Sequence, residues 1–160
     1  QREKNSNRQA PIVVTPAPLS SAAERLGKRW GHVAVPATAV LGEGAPGVIL
    51  LGGVGGQSRL QDIAHVDLAT GTAASVRCSS AFVPPPRMHS MATALSGSRG
   101  LVLVGGRGSP DRPLGDVCVR DTALQWSQPK VQPAADACPP RFRHAGAIVG
   151  SMLYVLGGRG

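Results

Sequence analysis

The feature that most constrains this chain is that it repeats itself at a period near 50 residues. The pattern is clearest from Arg87 to Val117. It runs Arg87-Met88-His89, a stretch of small residues, the apolar run Leu101-Val102-Leu103-Val104, the pair Gly105-Gly106, a polar loop, and Leu114-Gly115-Asp116-Val117. The same parts come earlier in the same order, from Arg29-Trp30-Gly31-His32 through Val48-Ile49-Leu50-Leu51 and Gly52-Gly53 to Asp62-Ile63. They begin a third time at Arg141-Phe142-Arg143-His144 and run to Gly157-Gly158. His32 to His89 is 57 residues and His89 to His144 is 55, while the diglycines are spaced by 53 and then 52. Several elements keeping step over two intervals make a specific signal, whereas one diglycine carries none.

Each full unit reads as four short strands joined by turns. In the first, Val33-Ala34-Val35 is followed by a loop from Pro36 to Gly47, the run from Val48 to Leu51, a Gly-rich turn over Val54–Ser58, Ala64–Leu68, and an outer strand over Ala73–Arg77. In the second, the later strands are Val117–Arg120 and one that starts at Gln125-Trp126-Ser127. A Val/Leu run before the glycines suits a strand buried on both faces. Paired glycines permit positive φ and close packing. Small residues after each histidine suit an innermost strand, and the Arg and His before it offer donors that tie one unit to the next. Pro84-Pro85-Pro86 and Pro139-Pro140 act as stiff crossovers. Four strands per unit at this period predict an all-β propeller segment. It comprises repeats at about 28–83 and 84–138, and the first half of a third at 139–160. Propellers close with four to eight blades, so this segment calls for further blades.

Residues 1–27 read as a basic, proline-containing linker, in which Ile12-Val13-Val14 could form one strand. The chain has 160 residues, starts at Gln1 and stops inside a motif, and is read as a piece of a longer protein. Its formal net charge of +8 suits an acidic partner such as nucleic acid, although a composition bias gives the same number. Aromatics are 3% of the residues, which argues against a base-stacking platform. Cys78, Cys118 and Cys138 are odd in number and form no CxxC pair, so the expectation is reduced thiols in a cytoplasmic or nuclear protein. No apolar run approaches a membrane span.

The catalytic repertoire is thin. Histidines at one position per repeat would be spread around a ring and are read as structural, together with Gly52, Gly53, Gly105, Gly106, Gly157 and Gly158. Gly52-Gly53-Val54-Gly55-Gly56 lacks the Lys-Ser/Thr and the helix of a phosphate-cradling loop. No catalytic, cofactor or metal residue is assigned. The candidate binding residues are loop arginines: Arg59, then Arg107 and Arg112 beside Asp111, and Arg159, which matches Arg107 in following a diglycine. Such side chains could meet RNA phosphates.

The pattern of Arg and His, apolar run, Gly-Gly, Asp-[Ile/Val] and a Trp before the crossover resembles the kelch repeat over roughly Arg29 to Gly160. The first unit departs from it, with Val66 and Ala73-Ala74 where Tyr and Trp are expected, and Arg87 stands only two residues before His89. Trp30-Gly31-His32 with Gly52–Gly56, the run LSGSRGLVLVGGRGSP at 95–110, and PPRFRHAGAIVG at 139–150 are similar to the kelch region of the tRNA wybutosine-synthesising protein 4 family. That resemblance implies a propeller coupled to an S-adenosylmethionine-dependent methyltransferase related to leucine carboxyl methyltransferases. The pathway it implies is hypermodification of the guanosine next to the anticodon of phenylalanine tRNA. None of the methyltransferase's motifs lies in this chain, so S-adenosylmethionine belongs to the parent protein and the segment is expected to hold tRNA or orient a catalytic domain. The other reading is a protein-interaction propeller, such as a ubiquitin-ligase substrate receptor or a phosphatase-linked kelch protein.

Overall fold

The computed structural model describes residues 26–78, 80–95, 100–121, 123–130 and 138–160. Nearly all of the leader, including Ile12–Val14, lies outside them. Among the described residues the fold is all-β, with antiparallel sheets and one turn of helix. The first unit contributes β1 (Arg29–Trp30), β2 (Val33–Pro36), α1 (Thr38–Leu41), β3 (Val48–Leu51), β4 (Val54–Gly55), β5 (Ser58–Arg59), β6 (Ile63–Asp67) and β7 (Thr72–Ser75). The second contributes β8 (Met91–Ala94), β9 (Leu101–Val104), β10 (Arg107–Ser109), β11 (Arg112–Pro113), β12 (Val117–Arg120) and β13 (Trp126–Ser127). The third is a hairpin of β14 (Phe142–Val149) and β15 (Met152–Arg159).

Two sheets share one topology: β2-β3-β6-β7 and β8-β9-β12-β13, each a four-stranded antiparallel meander. In both, a small hairpin is inserted between the second and third strands, β4–β5 in one and β10–β11 in the other. The sequence reading has a Gly-rich turn and a polar loop at these places. They pair because each turn is short enough to bring two extended residues back alongside. The loop over Pro36–Gly47 likewise contains α1, whose Val40 is buried, as is Ala37 before it.

Strand β9 shows why the apolar run is continuous. Leu101 and Leu103 pack with Val35, Ile49, Leu51 and Ile63 of the first sheet, while Val102 and Val104 pack with Met91 and, from the third unit, Ile148, Leu153 and Val155. Both faces of β9 are therefore core, and all four residues are buried. On β15 the apolar residues Tyr154 and Leu156 are exposed. First strands lie side by side, with β8 packed against both β2 and β14. Among the described residues, no helix is long and apolar enough to cross a membrane.

The units are fastened at the diglycines. The N–H of Gly53 donates to the Arg87 carbonyl at 2.8 Å and that of Gly106 to the Arg141 carbonyl at 2.9 Å. The Arg87 and Arg141 N–H groups donate back to the carbonyls of Leu60 and Leu114. A Cβ on Gly52 would lie 2.7 Å from the Arg87 oxygen, and one on Gly105 would lie 2.7 Å from the Arg141 oxygen. Both glycines also have positive φ, 60° and 55°. Only glycine meets both demands. In β15 the strand does not stop at Gly157-Gly158 but pairs through it, Gly157 opposite His144 and Arg159 opposite Phe142.

The side chains of the arginines that open each unit act within that unit, a correction to the expectation that they bridge units. Arg29 donates to the Gly52 carbonyl and to both oxygens of Asp62 at 2.9 Å. Arg87 donates to the Gly105 carbonyl and to both oxygens of Asp116 at 2.7 Å. Arg141 donates to the Gly157 carbonyl. The guanidinium fork matches a carboxylate in two directions and still has a donor for a carbonyl. It is the arginine backbone that reaches the preceding unit.

Two outcomes follow. Asp116→Ala leaves the 3%-exposed Arg87 without its counter-charge and should destabilise the fold by about 3–5 kcal/mol in urea titrations. Asp62→Ala should do less, because Asp62 is 38% exposed and its pair is partly solvated. Gly105→Ala should lower the urea midpoint well beyond Gly56→Ala. Gly56 also has positive φ but open space around it, and its change should cost about 1–2 kcal/mol.

Candidate nucleic-acid interface

The positions after the paired arginines meet at one end of the sheets. Trp30 lies opposite Val54, Met88 opposite Arg107, and Phe142 opposite Arg159. One residue further on, Gly31, His89 and Arg143 occupy equivalent sites and all have positive φ, 64°, 55° and 57°. Their backbones form a ladder across the units: His89 N–H donates to the Gly31 carbonyl at 2.7 Å, and Arg143 N–H to the His89 carbonyl at 2.9 Å. This changes the repeat register read from sequence. A Cβ on Gly53 would touch the Cβ of His32, one on Gly106 that of Ser90, and one on Gly158 that of His144. His32, Ser90 and His144 are thus equivalent, and His89 stands where Gly31 does. A residue count between histidines cannot detect this one-position shift.

The ladder brings rings together. Trp30 and His89 meet edge-on with centroids 5.5 Å apart, and His89 and Phe142 are 6.5 Å apart and tilted. The Arg107 guanidinium sits 4.8 Å from the Phe142 centroid, a cation–π contact. Trp30 is 53% exposed, whereas Trp126 is buried in the core. Arg143 is exposed.

Of the arginines singled out by sequence, Arg107 is in this row, half-buried, with its backbone bonded both ways to Met88. Arg112 is exposed on the partner strand β11, at a groove of about 370 Å³ lined also by Pro85, Pro86, Gly108, Ser109 and Leu114. Arg159 is exposed at the end of β15. Arg59 lies half-buried on β5 opposite Val54. Sequence reasoning missed Trp30, Phe142 and Arg143 as surface features. The signal was position: Trp30 and Phe142 directly follow the unit's first arginine, and Arg143 comes one residue later.

The electrostatics follow from burial and the arginines. Burial, then the charges of Arg143 and Arg107, hold His89 below the ordinary imidazole range. Burial and Arg29 do the same for His32. His144, which packs against Gly105, is also lowered, chiefly by burial. Burial alone would raise Asp116, but hydrogen bonds and charge from Arg87 outweigh it and hold the carboxyl below its usual range. Cys118, desolvated and beside Asp116, is pushed up to about 12, so its thiol is inert at neutral pH. All three thiols are free. Among the described residues, no three His, Cys, Asp or Glu side chains are grouped to hold a metal ion.

The histidine shifts set a pH dependence. The unfolded histidines bind protons at about pH 6.5 and the folded ones only lower, so the unfolded state takes up more protons as pH falls. Stability should be full above about pH 6.5 and decline below it, read as a falling urea midpoint from pH 7.5 to 5.5. His144→Gln should flatten that decline.

No protein-family model matches the chain. A stretch of 76 residues, 47% of the chain, is 38% identical to the tRNA wybutosine-synthesizing protein 2/3/4 of Oryza sativa subsp. japonica. The chain spans 7% of that relative's length.

Proposed function

We propose that this chain is a kelch-type propeller segment of a protein of tRNA wybutosine synthesis, a non-catalytic module that holds tRNA or orients a catalytic domain. The observation that carries the reading is the 76-residue likeness to a protein named for that pathway. Two antiparallel meanders of equal topology, with their first strands adjacent, support the propeller part of this reading. The blades are assigned to 28–83 and 84–138, with 139–160 as the opening hairpin of a third. Other blades and an S-adenosylmethionine-dependent transferase domain belong to the parent protein, which acts in the cytoplasm.

The net charge of +8 supplies the long-range attraction to tRNA. Among the sequence-selected arginines, Arg112 and Arg159 are the exposed pair and take the phosphate contacts. Arg107 and Arg59, half-buried, shape the surface.

Binding of the full protein to unmodified phenylalanine tRNA, measured across a salt series, tests this. Replacing Arg112 and Arg159 together by alanine should reduce the slope of log K against log salt by about 2, one per phosphate contact. Weak binding with an unchanged slope would reject the tRNA reading and favour a protein-interaction scaffold of the ubiquitin-ligase receptor kind.

A further inference from the structure

We propose that Cys78 is a peroxide-oxidised thiol whose product oxygen is held by Arg120, a modification site in the joint between the two four-stranded sheets. It stands apart from the tRNA reading, since it needs neither an RNA nor a loop arginine.

The starting point is a charge without a partner. Arg120 is fully buried, and among the described residues none of its three guanidinium nitrogens has a hydrogen-bond acceptor. Arg87, also buried, has the Gly105 carbonyl and both Asp116 oxygens. The register shows what Arg120 replaces. It lies opposite Leu101, one residue before Asp121, whose carboxylate accepts the Ala123 N–H. In the first unit Val66 lies opposite Val48, one residue before Asp67, whose carboxylate accepts the Ala69 N–H. One core position thus takes valine in one unit and a cation in the next. A guanidinium keeps its charge, so burying it without an acceptor is costly.

The group that faces Arg120 is the Cys78 sulfur. The crossover after β7 runs along β13: Ser80 Oγ accepts the Trp126 N–H at 2.7 Å, and Trp126 lies opposite Arg120. Two residues before Ser80, Cys78 packs against the cluster that holds Trp126 and Cys118. Burial pulls Arg120 below the ordinary guanidinium range, and Cys78 first, then Asp121, oppose that pull. A thiol sulfur is only a weak acceptor, which leaves the guanidinium donors unfilled. An oxygen on that sulfur fills them, most strongly as an anion.

The other two thiols lack this setting. Cys118 is fully buried beside the Asp116 carboxylate. Cys138 is half-buried like Cys78, but its S–H meets the Pro139 carbonyl. Partial exposure beside a fixed cation is what distinguishes an oxidisable cysteine from a packed one. In the step itself, the Cys78 sulfur attacks one oxygen of hydrogen peroxide, and the S–O bond forms as the O–O bond breaks. The thiol proton leaves with the departing hydroxide as water. Sulfur loses two electrons and peroxide gains them. Arg120 then donates to the sulfenic oxygen, which ties the crossover to β12.

The test treats the full chain with hydrogen peroxide and dimedone, a trap for sulfenic acids, and locates the label by peptide mass spectrometry. Cys138 in the same molecule is the reference. Cys78 should be labelled roughly 10-fold faster or more, the factor that one charge-assisted hydrogen bond converts to. In Arg120→Met the two rates should come to parity. Peroxide without the trap should raise the parent's urea midpoint relative to Cys78→Ser treated alike. Equal labelling of Cys78 and Cys138 in the parent overturns the proposal. So does a ratio that Arg120→Met leaves unchanged, or a parent midpoint that does not rise. Arg120→Met should fold, because Val66 fills the matching place; if its cooperative transition is lost, the ratio within the parent decides.

Discussion

The fold depends on the bond between a glycine N–H and the carbonyl of the next unit's first arginine. Gly53 to Arg87 and Gly106 to Arg141 are the same contact made twice. Each requires the preceding glycine to lack a side chain, since a Cβ there would collide with the arginine oxygen. The arginine whose backbone makes the seam also sends its side chain to the end of its own second strand and to the aspartate that opens its third. Arg, Gly-Gly and Asp are therefore parts of one device. A buried ion pair of this kind adds little net stability over an apolar substitute, but it specifies geometry because its donors are directional.

That device also explains why one end of the sheets carries the exposed chemistry. The arginine must turn sharply from the crossover into the first strand, and the turn puts the next two residues at the rim with positive φ at the second. Rigid pairing behind the rim holds Trp30, His89, Phe142 and Arg107 in fixed relation, as a scaffold holds binding loops. The proline crossovers are tied into the same joint, since the arginine Nε donates to the Pro85 carbonyl in the second unit and to the Pro139 carbonyl in the third.

Much of the fold was legible because strand burial leaves a mark on residue type. Leu101–Val104 reads as continuous apolar sequence since β9 has core on both faces. The inserted hairpins β4–β5 and β10–β11 were not legible, because strands of two or three residues, Val-Gly, Ser-Arg, Arg-Gly-Ser and Arg-Pro, have no periodicity to detect. The candidate site was legible in part. Arg107 was recognisable from its place after a diglycine, but its contact with Phe142 joins residues from different units. The register of His89 was misleading because the unit conserves a backbone conformation there, and Gly31, His89 and Arg143 share no chemistry.

By itself the sequence determined the repeat, the all-β character, the places where glycine is obligatory and the positive charge. These are local: they follow from periodicity, side-chain volume and formal charge along the chain. Only the tertiary structure decided which carboxylate each arginine meets, which residues are equivalent between units, and that rings more than 50 residues apart form one row. Those facts depend on how one sheet stacks on the next, and stacking distances are not encoded in any single segment.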